Sequence, residues 1–163
     1  MTRVRAVPPP PGIGDLLPGA QFSDAYQVEV AHRGLTAEAA ARTMLAHSPA
    51  WVGRLMALRN LIVAPFGLKA GREGGGAGPA IGIFPIQSAS RERMVLGFDD
   101  KHLDFRVVVD SAAAGAGGTV TATTLVRLHN GLGRAYLTLI MPFHILIART
   151  SLARVVEAQP HLE

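Results

Sequence analysis

The sequence contains no cysteine. This absence excludes disulfides, thiolate zinc sites, iron–sulfur clusters and a cysteine nucleophile. Charge is also scarce, because charged residues make up only 17% of the chain while hydrophobic residues make up 48%. A disordered chain would be more polar, so we expect a folded protein. The length of 163 residues predicts one domain with a single core.

No run of basic residues occurs, although the formal net charge is +4. Lysine is present only as Lys69 and Lys101, and the arginines are scattered along the chain. A nucleic-acid-binding protein would show a basic stripe or tail, so we expect no nucleic-acid partner. The positive charge gives only a slight preference for anionic partners.

A secretory signal and a membrane span are both absent from the sequence pattern. Residues 1–20 carry Arg3, Arg5 and a proline run where a signal would be apolar. The most apolar segment, residues 135–148, is shorter than the roughly 20 residues of a membrane span. We therefore predict a flexible, proline-rich leader over residues 1–20, one domain over 21–158, a tail over 159–163 and a cytoplasmic location.

The N-terminal half of the domain predicts one strand and two short helices. Residues 25–30 alternate as in a half-buried strand. Thr36 is suited to capping a helix over residues 37–47, and Ser48-Pro49 predicts the start of a second helix that ends near residue 63. The second helix has an apolar stripe that includes Trp51.

The C-terminal half predicts five more strands and a helix. Four strands are expected over residues 81–88, 93–98, 102–110 and 119–129. Pro142 inside a helix would cost about 3 kcal/mol. We therefore expect a strand over residues 134–141, a hairpin turn at 130–133, and a helix that begins at Pro142 and ends near Glu157.

This element order predicts an α+β helix-grip architecture. It combines a curved antiparallel sheet of about six strands with two short helices and a longer C-terminal helix. Such a fold encloses a space between the sheet and the last helix, where a ligand can bind.

Several segments also resemble a known family. They are Leu17–Ala25, Pro49–Val52, Leu58–Asn60, Leu96–Arg106, His129–Leu137 and Pro142–His144. Together they resemble the bacterial domain-of-unknown-function family 2867 from about residue 17 to 156. The resemblance implies a relation to the START or Bet v 1-like superfamily, which agrees with the predicted fold. It supplies no catalytic residues.

Motifs for nucleotide binding and hydrolysis are missing. The glycine-rich stretches near residues 71–78 and 115–118 match neither a P-loop nor a dinucleotide-binding fingerprint. Zinc-protease and nucleophile-elbow motifs are also absent. We therefore expect no cofactor and no resident metal.

The densest polar cluster lies around residues 99–106. Alternation places His102, Asp104 and Arg106 on one strand face. In a catalytic interpretation, His102 is a general acid–base that Asp104 orients. In a variant of this hypothesis, Asp100, His102 and Asp104 bind a metal ion. We favour the structural alternative, in which Asp99 and Asp100 form a turn and Asp104 pairs with Arg106 on the outer sheet face.

Two further sets are candidates for the cavity. His129, Tyr136 and His144 could line it, and they join His102 and Asp104 as catalytic candidates. The candidate ligand contacts are Trp51, Arg54, Arg59, Arg106, Tyr136 and His144. Core packing for Trp51 and structural ion pairs for the arginines are the simpler alternatives.

The function that these observations favour is binding of an apolar or aromatic small molecule. Its cavity walls are expected from Val120, Ala122, Val126, Leu139, Ile145, Ala148 and Leu152, with an arginine for one anionic ligand group. One alternative is a cyclase, dehydratase or isomerase that uses His and Asp in the same cavity. Another is a protein-interaction module, and a homodimer is a further expectation.

Overall fold

A computed structural model describes residues 3–45, 61, 64–66 and 78–159. Its strands are β1 (Arg5–Val7), β2 (Phe22–Val30), β3 (Ala80–Ile81), β4 (Phe84–Ala89), β5 (Arg93–Asp99), β6 (Leu103–Ala114) and β7 (Gly117–Leu128). Its helices are α1 (Ala37–Leu45) and α2 (Gly131–Glu157), with short 3-10 helices at Ile13–Leu16 and Ala64–Phe66. Apart from Leu61, the expected second helix lies outside the described residues.

The strands form one antiparallel sheet in the order β1-β2-β7-β6-β5-β4-β3. Both α-helices pack on the same face of this sheet, here named the inner face. The α+β architecture that the sequence predicts is confirmed, and it is consistent with a helix-grip fold. The sheet has seven strands, one more than the predicted number.

The inner face carries the main core. Val107 and Val109 of β6 pack there with Leu152 of α2 and Ala40 of α1, and Phe105 lies partly buried against them. Alternate residues of a strand share a face, so Phe105, Val107 and Val109 all lie on the inner face.

The outer face is covered too, because the N-terminal segment folds across it. Ile13 and Leu17 are buried against Val108 and Leu125. At the sheet edge, β1 pairs with β2. Ordered structure therefore begins before Gln21, earlier than the sequence predicts. The prolines in this segment interrupt any regular helix or strand pattern of apolar residues. The sequence pattern therefore does not show that its isolated apolar side chains are buried.

The predicted strand over residues 134–141 is wrong, because α2 is continuous and Pro142 lies inside it. The expected hairpin at residues 130–133 is the start of this helix. Asn130 is its N-cap, with Gly133 N donating to Asn130 Oδ1 at 3.0 Å. Tertiary packing at the two ends of the helix offsets the local cost of the proline.

Both ends of α2 are held closely against the sheet. At the N-terminal end, a Cβ added to Gly133 would overlap the carbonyl oxygen of His102. At the C-terminal end, Leu152 and Val155 are buried in the core. The residues between these two contacts run past the inner face and are mostly half-buried or exposed.

Candidate functional site

An open groove runs along the middle of α2. Its volume is about 560 Å³, and it is lined by Leu137, Thr138, Met141, Pro142 and Ile145. Residues four apart on a helix share a face, so Leu137, Met141 and Ile145 form one apolar wall. The groove is large enough for a small molecule and offers it mainly apolar contacts.

Aromatic side chains lie on the inner sheet face. The ring of Phe105 is 5.7 Å from that of Phe84 and 5.9 Å from that of Phe98, centroid to centroid, and all three rings are half-buried. Phe22 contacts the ring of His144 edge-on at 6.1 Å. These accessible rings give the inner face the chemistry to pack against an apolar or aromatic molecule.

A polar contact joins His144, in the middle of α2, to the sheet. The Nε2 atom of His144 lies 2.9 Å from Oδ2 and 3.2 Å from Oδ1 of Asp24 on β2. The two side chains are 18% and 20% exposed. A carboxylate that binds one imidazole nitrogen orients the ring and leaves Nδ1 for a second partner.

Tyr26 extends this pair, since it lies two residues along β2 from Asp24 on the same strand face and the Asp24 carboxylate acts on its hydroxyl. Burial raises the pKa of Tyr26, and the negative charge of Asp24 raises it further, while nearby Arg149 opposes the shift. Arg149 also donates from Nη2 to the carbonyl of Val4 at 3.2 Å. Asp24, Tyr26 and His144 are therefore a connected polar group, here named the Asp24 cluster, and it lies next to the apolar wall.

The predicted cavity walls are only partly placed as expected. Val120, Ala122 and Val126 are buried, with Val120 and Ala122 in the inner-face core, and Ile145 lines the groove. Leu139 is wrong as a wall residue, because it is 61% exposed. In a strand, Leu139 would share a face with Leu137 and Met141, which are two residues away on either side. In a helix, residues two apart lie on nearly opposite sides, so Leu139 lies away from both of them.

The predicted ion pair between Asp104 and Arg106 is wrong. Arg106 instead binds Asp99 at 2.8 Å and backbone carbonyls, and Asp104 binds Arg127 and His129. Residues two apart along a strand are farther from each other than directly opposed residues on neighbouring strands, and Asp104 faces Arg127. The side chains of Asp104 and Arg127 lie on the outer face, on the other side of the sheet from the groove.

Asp104 is only 2% exposed, so its partners decide its charge state. Burial alone would raise its pKa, but hydrogen bonds from His129 and Arg127 and the charges of these partners hold the pKa below its ordinary value. Arg127 also donates to the carbonyl of Pro18 at 3.1 Å. This group therefore attaches the N-terminal segment to the outer face, which is a structural role for His129.

The remaining predicted site residues are dispersed. His102 accepts at Nδ1 from the Asn130 amide at 2.8 Å, at the start of α2, and Tyr136 is half-buried on that helix. Trp51, Arg54 and Arg59 lie outside the described residues. Within the described part of the chain, no three His, Asp or Glu side chains are placed to hold a metal ion, so the alternative with Asp100 as a metal ligand has no support.

The α2 helix is long and apolar enough to cross a membrane, judged by length and composition alone. An 18-residue stretch has a mean hydropathy of 1.5, and 17% of that stretch is buried. The sequence pattern missed this feature because it divided the helix at Pro142. A helix that packs in a protein core passes the same test, and the end of α2 with Leu152 and Val155 is in the core.

Asp24 and Tyr26 were not predicted as site residues, although the sequence contains a signal for them. Alternation places Asp24 on the same strand face as Tyr26 and Val28, so a carboxylate stands in an otherwise apolar row. A charge on the core face of a strand indicates a buried partner. That partner, His144, was assigned to the cavity from the sequence, but its contact with Asp24 depends on the helix passing through Pro142.

Comparison with known proteins gives one family. The model of family DUF2867, described as a protein of unknown function, matches residues 16–151. No curated protein and no solved structure matches this chain. The family therefore provides no activity, and a function has to be inferred from the groove and the Asp24 cluster.

Proposed function

The chain belongs to the DUF2867 family, and we propose that it binds an apolar or aromatic small molecule in the groove along α2. The observation that carries this proposal is the apolar wall of Leu137, Met141 and Ile145, which borders about 560 Å³ of space. Apolar surface in such a groove gains about 25 cal/mol for each Å² that a ligand removes from water.

The aromatic side chains on the inner sheet face fit the same ligand class. The half-buried rings of Phe84, Phe98 and Phe105 offer stacking surfaces on the inner face. Nucleotides and sugars fit poorly, because an apolar wall would leave their many polar atoms without partners. We therefore propose a ligand with a large apolar body and few polar groups.

The neutral fluorescent probe N-phenyl-1-naphthylamine tests this proposal. We expect saturable binding to the wild-type protein, with a rise in emission. Met141→Glu should weaken binding at least tenfold, because the new carboxylate would lose water when the probe binds. Titration of fluorescence against protein concentration measures both dissociation constants.

Leu146→Glu is the matched control, because the same substitution is then made at a residue on α2 that is 53% exposed and does not line the groove. It should leave the dissociation constant within about twofold. A loss of binding in Leu146→Glu but not in Met141→Glu would contradict the groove and favour the interaction module. Absence of saturable binding to the wild type would contradict the proposal as a whole.

A second candidate function is proton transfer, and the contact between His144 and Asp24 favours it. A carboxylate bound to Nε2 holds the ring in place, so that Nδ1 can act as a base toward a ligand in the adjacent groove. Isomerases and dehydratases use such a base to remove a proton next to a carbonyl. This candidate requires the same ligand class, with a carbonyl added.

Deuterium exchange into 1-tetralone, an aromatic bicyclic ketone, tests the second candidate. In D₂O the wild type should exchange the protons at C2 faster than free imidazole does, and His144→Gln should lower this rate by about 10²-fold. NMR follows the loss of the C2 proton signal. Equal rates for the wild type and His144→Gln would exclude His144 as the base.

A further inference from the structure

The backbone carbonyl of Thr138 is a polar group in the wall of the groove that lacks its usual helical partner. Pro142 has no backbone N–H, so the carbonyl of Thr138 has no donor four residues later. The helix nevertheless continues through both positions. Thr138 and Pro142 also line the groove. A backbone acceptor without its helical partner is therefore placed in the apolar wall.

The Thr138 hydroxyl and the Asp24 carboxylate already have hydrogen-bond partners. The hydroxyl of Thr138 donates to the carbonyl of Arg134 at 3.0 Å, so its hydrogen is already used. Asp24 contributes a carboxylate beside the groove, and it is held by His144. Arg106, the described arginine expected to meet an anionic group, lies on the outer sheet face.

We propose that the ligand donates a hydrogen bond to the Thr138 carbonyl, so that its class is an apolar molecule with one hydroxyl or N–H group, such as a fatty alcohol, a phenol or an aromatic amine. This inference rests on the proposed function. A carboxylate ligand has no hydrogen to donate to this carbonyl. An acceptor left unpaired by a bound apolar ligand loses its water, which penalises ligands without a donor.

Three chain-matched ligands test the proposal by displacing N-phenyl-1-naphthylamine: 1-dodecanol, dodecyl methyl ether and dodecanoate. For the wild type, we expect the alcohol to bind about fivefold more tightly than the ether, the factor that one net hydrogen bond of about 1 kcal/mol gives. In Pro142→Ala the new N–H pairs with the Thr138 carbonyl. The alcohol and the ether should then bind within twofold of each other.

Thr138→Val is the control, because it removes the hydroxyl and keeps the carbonyl free. The preference for the alcohol should persist in this variant, and its loss would assign the acceptor to the hydroxyl and overturn the proposal. Pro142→Ala adds a helical hydrogen bond, so its melting temperature should not fall, which separates altered binding from unfolding.

The remaining outcomes are also decisive. Equal affinity for all three ligands, or a preference that survives in Pro142→Ala, would overturn the inference while leaving the proposed function intact. Tightest binding of dodecanoate would also overturn it and would assign the anchor to Arg134, one helical turn away from Thr138. If the probe itself does not bind the wild type, the proposed function fails instead.

Discussion

Replacing Gly133 by alanine should lower the free energy of unfolding by about 3 kcal/mol, the upper part of the range for overpacking. The added Cβ would overlap the carbonyl oxygen of His102, which is backbone and cannot rotate away. The start of α2 would have to move off the sheet. Urea denaturation of the wild type and the variant measures the difference.

Gly131→Ala is the control for this prediction, because it makes the same change two residues earlier in the same helical turn. A Cβ at Gly131 would contact nothing within 4 Å. Alanine favours helix over glycine, so this variant should be neutral or more stable by about 0.5 kcal/mol. Equal effects of the two substitutions would contradict the close docking of α2.

Arg127→Met should destabilise the protein by about 2–4 kcal/mol. The substitution leaves the buried carboxylate of Asp104 with His129 alone, and it removes the bond to the Pro18 carbonyl. Breaking a buried pair is costly because the remaining charge stays buried. We lower the usual figure because the Arg127 side chain is 39% exposed. Chemical denaturation at neutral pH measures this loss.

The double variant Asp104→Leu/Arg127→Met tests the cause. With both charges removed, much of the lost stability should return. No recovery would mean that the Pro18 contact, and not the stranded charge, explains the loss.

The pH dependence follows from the lowered pKa of Asp104. Its stabilising contribution is present above the ordinary value of 3.8 and disappears as the pH falls through the lower folded value. The double variant should therefore lose less stability than the wild type in this acid range.

The sequence predicted the sheet well because strand alternation is a local signal. Val107 and Val109 indicate the core face by their spacing alone, and that face is the one that the helices cover. The grip arrangement follows from the order of the elements. The same strand alternation predicts that Val120 and Ala122 share one sheet face, and both are buried on the inner face.

The candidate site was less predictable because it depends on contacts distant in sequence. Pro142 is locally unfavourable in a helix, and the docking of Gly133 and Leu152 at the two ends offsets this cost. Because the sequence pattern divides the helix at Pro142, it does not predict the pairing of His144 with Asp24. Similarly, Asp104 pairs across strands with Arg127, and strand register decides such a pair.

The arrangement of α2 also has a mechanical consequence. The helix is fixed at both ends, because Gly133 packs on the His102 carbonyl and Leu152 is buried in the core. Near its centre it lacks one backbone hydrogen bond, because Pro142 has no N–H. Bending stiffness is lowest where that bond is missing. We therefore expect a deformation that widens the groove to be concentrated between Thr138 and Pro142, with the two ends of the helix held in place.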